Sequence, residues 1–122
     1  MREIEFRGKR TKNGKWVTGY YVANRLEHCI VSPQEMNAYY TVIPETIGQY
    51  TGLKDENGAK IFEGDVILSS LGHHAIVEWE KEGRFLGFTI ENERKILYVN
   101  REPPVVIVGN IHDNPELLTD EK

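Results

Sequence analysis

Apolar and polar residues alternate with a period of two along most of this chain, and turn-forming pairs interrupt the alternation at short intervals. Successive side chains on a strand point to opposite faces, so this period commits the chain to sheets rather than helices. In "WVTGYYVA", Trp16, Tyr20 and Val22 share one face while Val17, Tyr21 and Ala23 share the other. In "AIVEWE", Val77 and Trp79 fall on one side and Glu78 and Glu80 on the opposite side. "FLGFTI" follows the same rule, and Lys81 to Arg84 before it has the length of a hairpin loop. Further strands are expected near Glu27 to Val31, Tyr39 to Ile43, Val66 to Ser69, Ile96 to Val99 and Val105 to Ile111.

The turns have their own signature. Asn13-Gly14 and Asn57-Gly58 each separate two strand-like runs, and both pairs tolerate the positive φ of tight hairpins. Pro103 and Pro104 cannot donate to a ladder and belong in a connection or at a sheet edge. Two short helical signals remain. Ser32-Pro33-Gln34-Glu35 has the form of a capping box, and Asn114-Pro115-Glu116 places an N-cap, a first-position proline and an acidic first turn ahead of Leu117 and Leu118. The expected fold is all-β in one domain over 1–122: a small barrel or strongly twisted antiparallel sheets with hairpins, ending in a short C-terminal helix.

At 122 residues the chain can bury roughly two-thirds of its unfolded surface around a core without disulfides or metal. The single cysteine, Cys29, sits in the apolar run "HCIV" and reads as a buried structural thiol, which suits a reducing compartment. The N-terminus is charged from its second residue and lacks the apolar run of a signal peptide, and the longest aliphatic run, Val105 to Val108, is far too short to span a bilayer. A cytoplasmic location with no membrane contact follows as the expectation.

Charge is uneven. The net charge is −4, yet residues 1–15 hold six basic side chains against Glu3 and Glu5. A basic arm could meet phosphates through Arg7, Lys9 and Arg10, with tyrosines nearby to stack on bases. Placed in a strand, the same charges form an ordinary solvated face, and this is the favoured reading.

The catalytic signatures are weak. His73 and His74 are adjacent, so a strand would send them to opposite faces, and no spacing typical of zinc ligands accompanies them. His28 beside Cys29 meets the same objection as a nucleophile and base. In "QYTGLKDENGAKIFEGDVI", residues 49–67, Gly52, Gly58 and Gly64 with four acidic side chains invite a phosphate-loop or metal reading. A strand-like segment follows where a phosphate loop needs a helix, so these residues are expected to build turns. In that reading, Gly64 takes positive φ and Asp65 bonds nearby amides. No catalytic, cofactor or metal residue is assigned.

The blocks "EIEFRGKR…GKWVTGYYV", "IPETIGQYTGLKDENGAKIFEGDVI", "GRF" and "VIVGNIHDNPELL" run nearly the whole length in one order, and with them the chain resembles the YopX family. That resemblance implies an all-β domain with an SH3-like barrel, encoded mostly by phages and prophages of low-GC Gram-positive bacteria. It supplies no activity and no site residues. The functional expectation is a non-enzymatic interaction module that binds protein, with self-association as one form of it. The alternative is a nucleic-acid-binding barrel using Arg7, Lys9 and Arg10.

Overall fold

In the computed structural model the described residues are 4–70, 72–79, 85–89, 96–97 and 104–118. They form strands β1 (Phe6–Lys9), β2 (Trp16–Ala23), β3 (His28–Ser32), β4 (Ala38–Thr41), β5 (Gly48–Lys54), β6 (Lys60–Phe62), β7 (Asp65–Ser69), β8 (His74–Trp79), β9 (Phe85–Thr89), β10 (Ile96–Leu97) and β11 (Val105–Asn110). Each strand expected from the alternation is present; ends that fall among the described residues differ by a residue or two, and the expected ends at Glu80, Ile90 and Val99 lie outside them. The expected hairpin loop at Lys81 to Arg84 and Pro103 lie outside the described residues; Pro104 directly precedes β11.

The chain divides into two compact units, Met1–Tyr50 and Thr51–Lys122. In the first, neighbouring strands run in the order β4-β3-β2-β1-β5. Antiparallel registers place Lys9 opposite Trp16 and Arg7 opposite Thr18, then Tyr20 opposite Val31 and Val31 opposite Tyr39. Strand β1 is central: it pairs with β2 on one side and with β5 on the other, through Phe6↔Gln49 and Arg7↔Gly48. The inner face is closed by Ile30 and Val42, both fully buried, each contributing roughly 1.5–3 kcal/mol by leaving water.

The sheets are not closed into the SH3-like barrel that was expected. In the order β4-β3-β2-β1-β5-β6 the strands at the two ends are not neighbours, so the sheet is open. Only the isolated bridge Arg10↔Val42, just beyond the end of β1, joins that end to the chain after β4. Two antiparallel sheets are the result. The helical signals also come out shorter than expected. Pro33–Glu35 and Pro115–Leu118 are single 3₁₀ turns, and no α-helix occurs among the described residues. Ser32 makes no side-chain cap, and the Glu35 carboxylate accepts a hydrogen bond from the Tyr40 hydroxyl at 2.7 Å. Asn114 does stand before the second turn, but its Oδ1 accepts from the Asn110 N–H at 3.2 Å.

In the second unit the five-stranded sheet runs β10-β9-β8-β7-β11, and β6 lies next to the later half of β5. Ile61, Ile67, Ala75, Val77 and Val105 form its buried cluster, with Leu53 and Ile107 packed against it. The strand pair β7–β11 shifts register between Ile107 and Gly109, a bulge that leaves Val108 exposed.

The glycine- and acid-rich stretch is turn machinery, as expected. Gly58 at φ 85° closes the β5–β6 turn, with its N–H on the Asp55 carbonyl at 3.0 Å. Gly64 at φ 93° makes the β6–β7 turn, and Asp65 Oδ2 accepts from the Phe62 N–H at 2.7 Å. Asp55 does more than was expected of it. Its Oδ1 accepts from the N–H groups of Asn57 at 2.9 Å and Ala59 at 2.8 Å, while its Oδ2 accepts from Ile107 at 3.0 Å on β11, 52 residues away in sequence. The Glu56 N–H adds a bond to the Val105 carbonyl at 2.9 Å. The turn is thus fastened along the edge of β11, which covers polar groups that would otherwise offer an open ladder.

Burial alone would push the Asp55 carboxyl up. The N–H groups of Ile107, Ala59, Asn57 and Gly58 aimed at the charged form outweigh it, and the group titrates below its ordinary 3.8. A carboxyl lowered on folding stabilises the fold fully above its unfolded value, and the contribution is lost as pH falls through the folded value. Asp55→Ala should therefore cost roughly 3 kcal/mol near neutral pH, given the usual value of bonds to a charged acceptor. Denaturant titrations across acid pH should show that the variant also loses part of the wild-type acid limb. Gly64→Val forces a β-branched residue into positive φ and should cost about 1–3 kcal/mol in the same measurement.

Candidate interaction surface

Strand alternation sorts the side chains of the first unit onto two faces. Trp16, Thr18, Tyr20 and Val22 share one face of β2, and the registers bring Arg7 and Lys9 from β1, Val31 and Cys29 from β3, and Tyr39 and Thr41 from β4 to the same side. At one end of this face lies a cation–aromatic cluster. The Arg7 guanidinium lies 4.6 Å from the centre of the Trp16 ring and the Lys9 ammonium 5.8 Å, and all three side chains are half-buried. Toward the other end lies a ladder of Tyr20, Val31 and Tyr39 on three successive strands. Its tyrosines are 57% and 67% exposed and stand about 10 Å apart at normal strand spacing.

Loop residues extend this apolar character. Leu26, in the β2–β3 connection, is 92% exposed, and Met36, after the first 3₁₀ turn, is 94% exposed. Met36 and Asn37 both hold positive φ, at 59° and 62°, a conformation that costs a non-glycine residue about 1–3 kcal/mol. Beside Tyr20 a small cleft of about 150 Å³ is lined by Ile4, Glu5, Gly19, Pro33 and Gln34. Among the described residues, seven large apolar side chains of the first unit are exposed (Ile4, Tyr20, Tyr21, Val22, Leu26, Met36 and Tyr39), against Trp79 and Val108 in the second. Of these, Tyr20, Val22 and Tyr39 share one face, while Tyr21 lies on the other.

The three basic residues singled out in the sequence are therefore not on a free arm. Arg7 and Lys9 belong to the central strand and lie over Trp16, and Arg10 sits 4.3 Å above the ring of Tyr40. Arg7 and Lys9 share a face with the exposed tyrosines, whereas Arg10, opposite Val42, goes with Tyr40 to the other. Sequence reasoning missed the ladder, because the pairing of Tyr20 with Val31 and of Val31 with Tyr39 is a matter of register. Leu26 and Met36 carried one readable signal: large apolar residues in connections where polar ones are usual.

The other candidates separate as strand geometry requires. Cys29 is buried, while His28 stacks on Tyr21 at 5.8 Å and its Nδ1 lies 2.6 Å from the Tyr21 hydroxyl. His74 opens β8 and His73 precedes it. Among the described residues, no group of three or more His, Cys, Asp or Glu side chains is placed to hold a metal ion, and no helix is long and apolar enough to cross a membrane.

The YopX family model, described as YopX protein, matches residues 5–119. The chain belongs to the YopX family. No curated protein matches it. Among solved structures, this YopX-family chain is similar to the crystal structure of protein EF1440 from Enterococcus faecalis, with a TM-score of 0.58, 20% identity, and coverage of 98% of this chain and 100% of that one. At that identity the likeness is one of fold.

One side-chain network on the first unit can be tested directly. The hydrogen bond to Glu35 holds the Tyr40 phenol above its ordinary 10.0, burial and the Glu35 charge add to this, and the Arg10 charge opposes it. Glu35→Gln should move the Tyr40 titration down toward the ordinary value. Tyrosinate absorbance against pH, with Tyr40→Phe subtracted to isolate this ring, reads the shift.

Proposed function

We propose that this YopX-family chain is a non-enzymatic binding module, a phage- or prophage-encoded accessory protein acting in the bacterial cytoplasm, whose contact surface is the Tyr20–Val31–Tyr39 face of its first unit. The observation that carries this reading is the three-strand ladder itself: the exposed Tyr20 and Tyr39 in register on either side of the half-buried Val31, flanked by the exposed Val22. Aromatic residues contribute large contact area at low entropic cost, and a protein partner would bury them. Self-association through the same face is one form of this contact, and an isologous pair would meet there on both copies.

A second reading is favoured by the other end of the same face. Arg7 and Lys9 stacked on Trp16, beside two exposed tyrosines, are the elements with which small β proteins hold single-stranded nucleic acid. Such binding would weaken steeply with salt. It ranks second because residues 1–50 carry only seven basic side chains against five acidic ones, and because Arg7 and Lys9 are already engaged with Trp16.

Affinity capture from phage-infected cells, scored for both protein and nucleic acid, separates the two. For the leading reading, a defined protein partner or the chain itself is expected to co-purify. Tyr20→Ala with Tyr39→Ala should remove it while leaving thermal unfolding within a few degrees of wild type, since both rings are largely exposed. Retention of the partner by that double variant would overturn the assignment of this face. Recovery of nucleic acid, lost with Arg7→Glu, Lys9→Glu and Arg10→Glu, would support the second reading instead.

A further inference from the structure

The outer edge of the first unit is a surface of another kind. Strand β4 ends the order β4-β3-β2-β1-β5-β6, and among the described residues no strand pairs along its outer side; only the bridge Arg10↔Val42 touches the chain just beyond it. Hydrogen bonds decide which of its backbone groups face outward. The Val42 N–H donates to the His28 carbonyl at 2.9 Å, and bonded pairs alternate with unbonded ones along an antiparallel ladder. Tyr40 opposite Ile30 and Ala38 opposite Ser32 are therefore the bonded positions, while Tyr39 and Thr41 turn their N–H and C=O groups away from β3. The Thr41 carbonyl agrees with this parity, since it accepts from the Thr11 N–H at 3.0 Å. The Asn37 N–H is used by the Ser32 carbonyl at 3.0 Å. What remains along the outer side of β4 is the N–H and C=O of Tyr39, a residue 67% exposed, and the N–H of Thr41.

One donor and one acceptor on a single extended residue complement the same residue of a second copy. Two β4 strands meeting antiparallel about a two-fold axis at Tyr39 exchange both bonds between these residues. Neighbouring registers use less of the edge. Set against Thr41 of the second copy, Tyr39 meets a carbonyl already taken by Thr11; set against Asn37, it meets an N–H already taken by Ser32. Side chains suit the same register. The two Tyr39 rings stand side by side on one face, and Ala38 faces Tyr40 of the second copy on the other, small against large. No charged side chain, the usual guard of an exposed edge, occurs within β4.

We propose that this edge is a self-pairing site: β4 of a second copy adds antiparallel, centred on Tyr39, and the first-unit sheets of two copies run on as one. The backbone makes the contact and the Tyr20–Val31–Tyr39 face stays outward on both copies, so the pairing stands or falls separately from the reading of that face as a binding surface. With one short strand from each copy, it is a weak, concentration-dependent interface.

Sedimentation over a wide range of concentration should show a monomer–dimer equilibrium. Tyr39→Pro removes the outward N–H and no bond within the chain, and should raise the dissociation constant about tenfold or more. Tyr20→Ala, two strands from the edge, should change it by less than about threefold. In the wild type, the Tyr39 amide should exchange more slowly with solvent as concentration rises, while the Asn37 amide, bonded within the chain, keeps its rate. In a mixture of labelled and unlabelled chains, an NOE between the α-protons of Ala38 and Tyr40 should cross from one copy to the other, because this register makes them a closely spaced unbonded pair. The proposal is overturned if the chain stays monomeric at high concentration, even where another extended segment binds the edge. It is equally overturned if a folded Tyr39→Pro variant pairs as the wild type does, or if Tyr20→Ala disperses the pair as strongly, which would place the contact on the face. Should Tyr39→Pro fail to fold, the wild-type exchange decides: protection of the Tyr39 amide that does not rise with concentration sinks the idea.

Discussion

The second unit depends on one carboxylate satisfying backbone groups from two distant parts of the chain. Asp55 accepts from Asn57 and Ala59 within its own turn and from Ile107 on β11. Without it, the turn would lose the acceptor that shapes it, and β11 would show an unpaired N–H along its outer edge. A buried donor left without a partner costs about 1–3 kcal/mol, so one side chain serves turn geometry and edge protection together. This explains why a stretch so rich in acids and glycines is scaffold. Its carboxylates at Asp55 and Asp65 are occupied by backbone amides, and the positive φ of Gly58 and Gly64 serves the two turns.

How much of this was legible depends on whether the signal was local. Alternation in "WVTGYYVA" and "AIVEWE" is local, and β2 and β8 appear where it places them. The turn role of Asn57-Gly58 is local as well. What could not be read was where side chains find partners across the sheet. Ser32 and Glu35 have capping-box spacing, but Tyr40, paired opposite Ile30 in β4, offers Glu35 a hydroxyl at 2.7 Å and the box does not form. The barrel expectation met a comparable obstacle. Whether the outermost strands of a sheet meet depends on tilt and shear summed over the whole sheet, and no local signal in the sequence carries that.

The candidate surface shows the same division more sharply. Composition indicated six tyrosines and a basic N-terminal segment, and Tyr20, Tyr39, Arg7 and Lys9 from these share one face of the first unit. Register decided what they became. It put Arg7 and Lys9 across from the β2 face that carries Trp16, turning free charges into stacked ones, and sent Arg10 to the opposite side with Tyr40. A shift of one residue between β2 and β3 would have put Tyr20 and Val31 on opposite faces, removing the ladder without changing the sequence.

Strand alternation sorts the side chains of both units by the same rule. A strand has only two faces, so the neighbours of Ile30 in β3, Ile67 in β7 and Val77 in β8 turn to the opposite one; some of these, such as Cys29 and Val66, are themselves buried, while others stand nearer the surface. Strand residues nearer the surface include Tyr20, Val22 and Tyr39 in the first unit, and Ile76 and Glu78 in the second. Large aromatic side chains on an outward face add nothing to the core and raise the risk of aggregation. Tyr20 and Tyr39 share one outward face, with Val31 between them, because of the β2–β3 and β3–β4 registers and not because the core requires rings there.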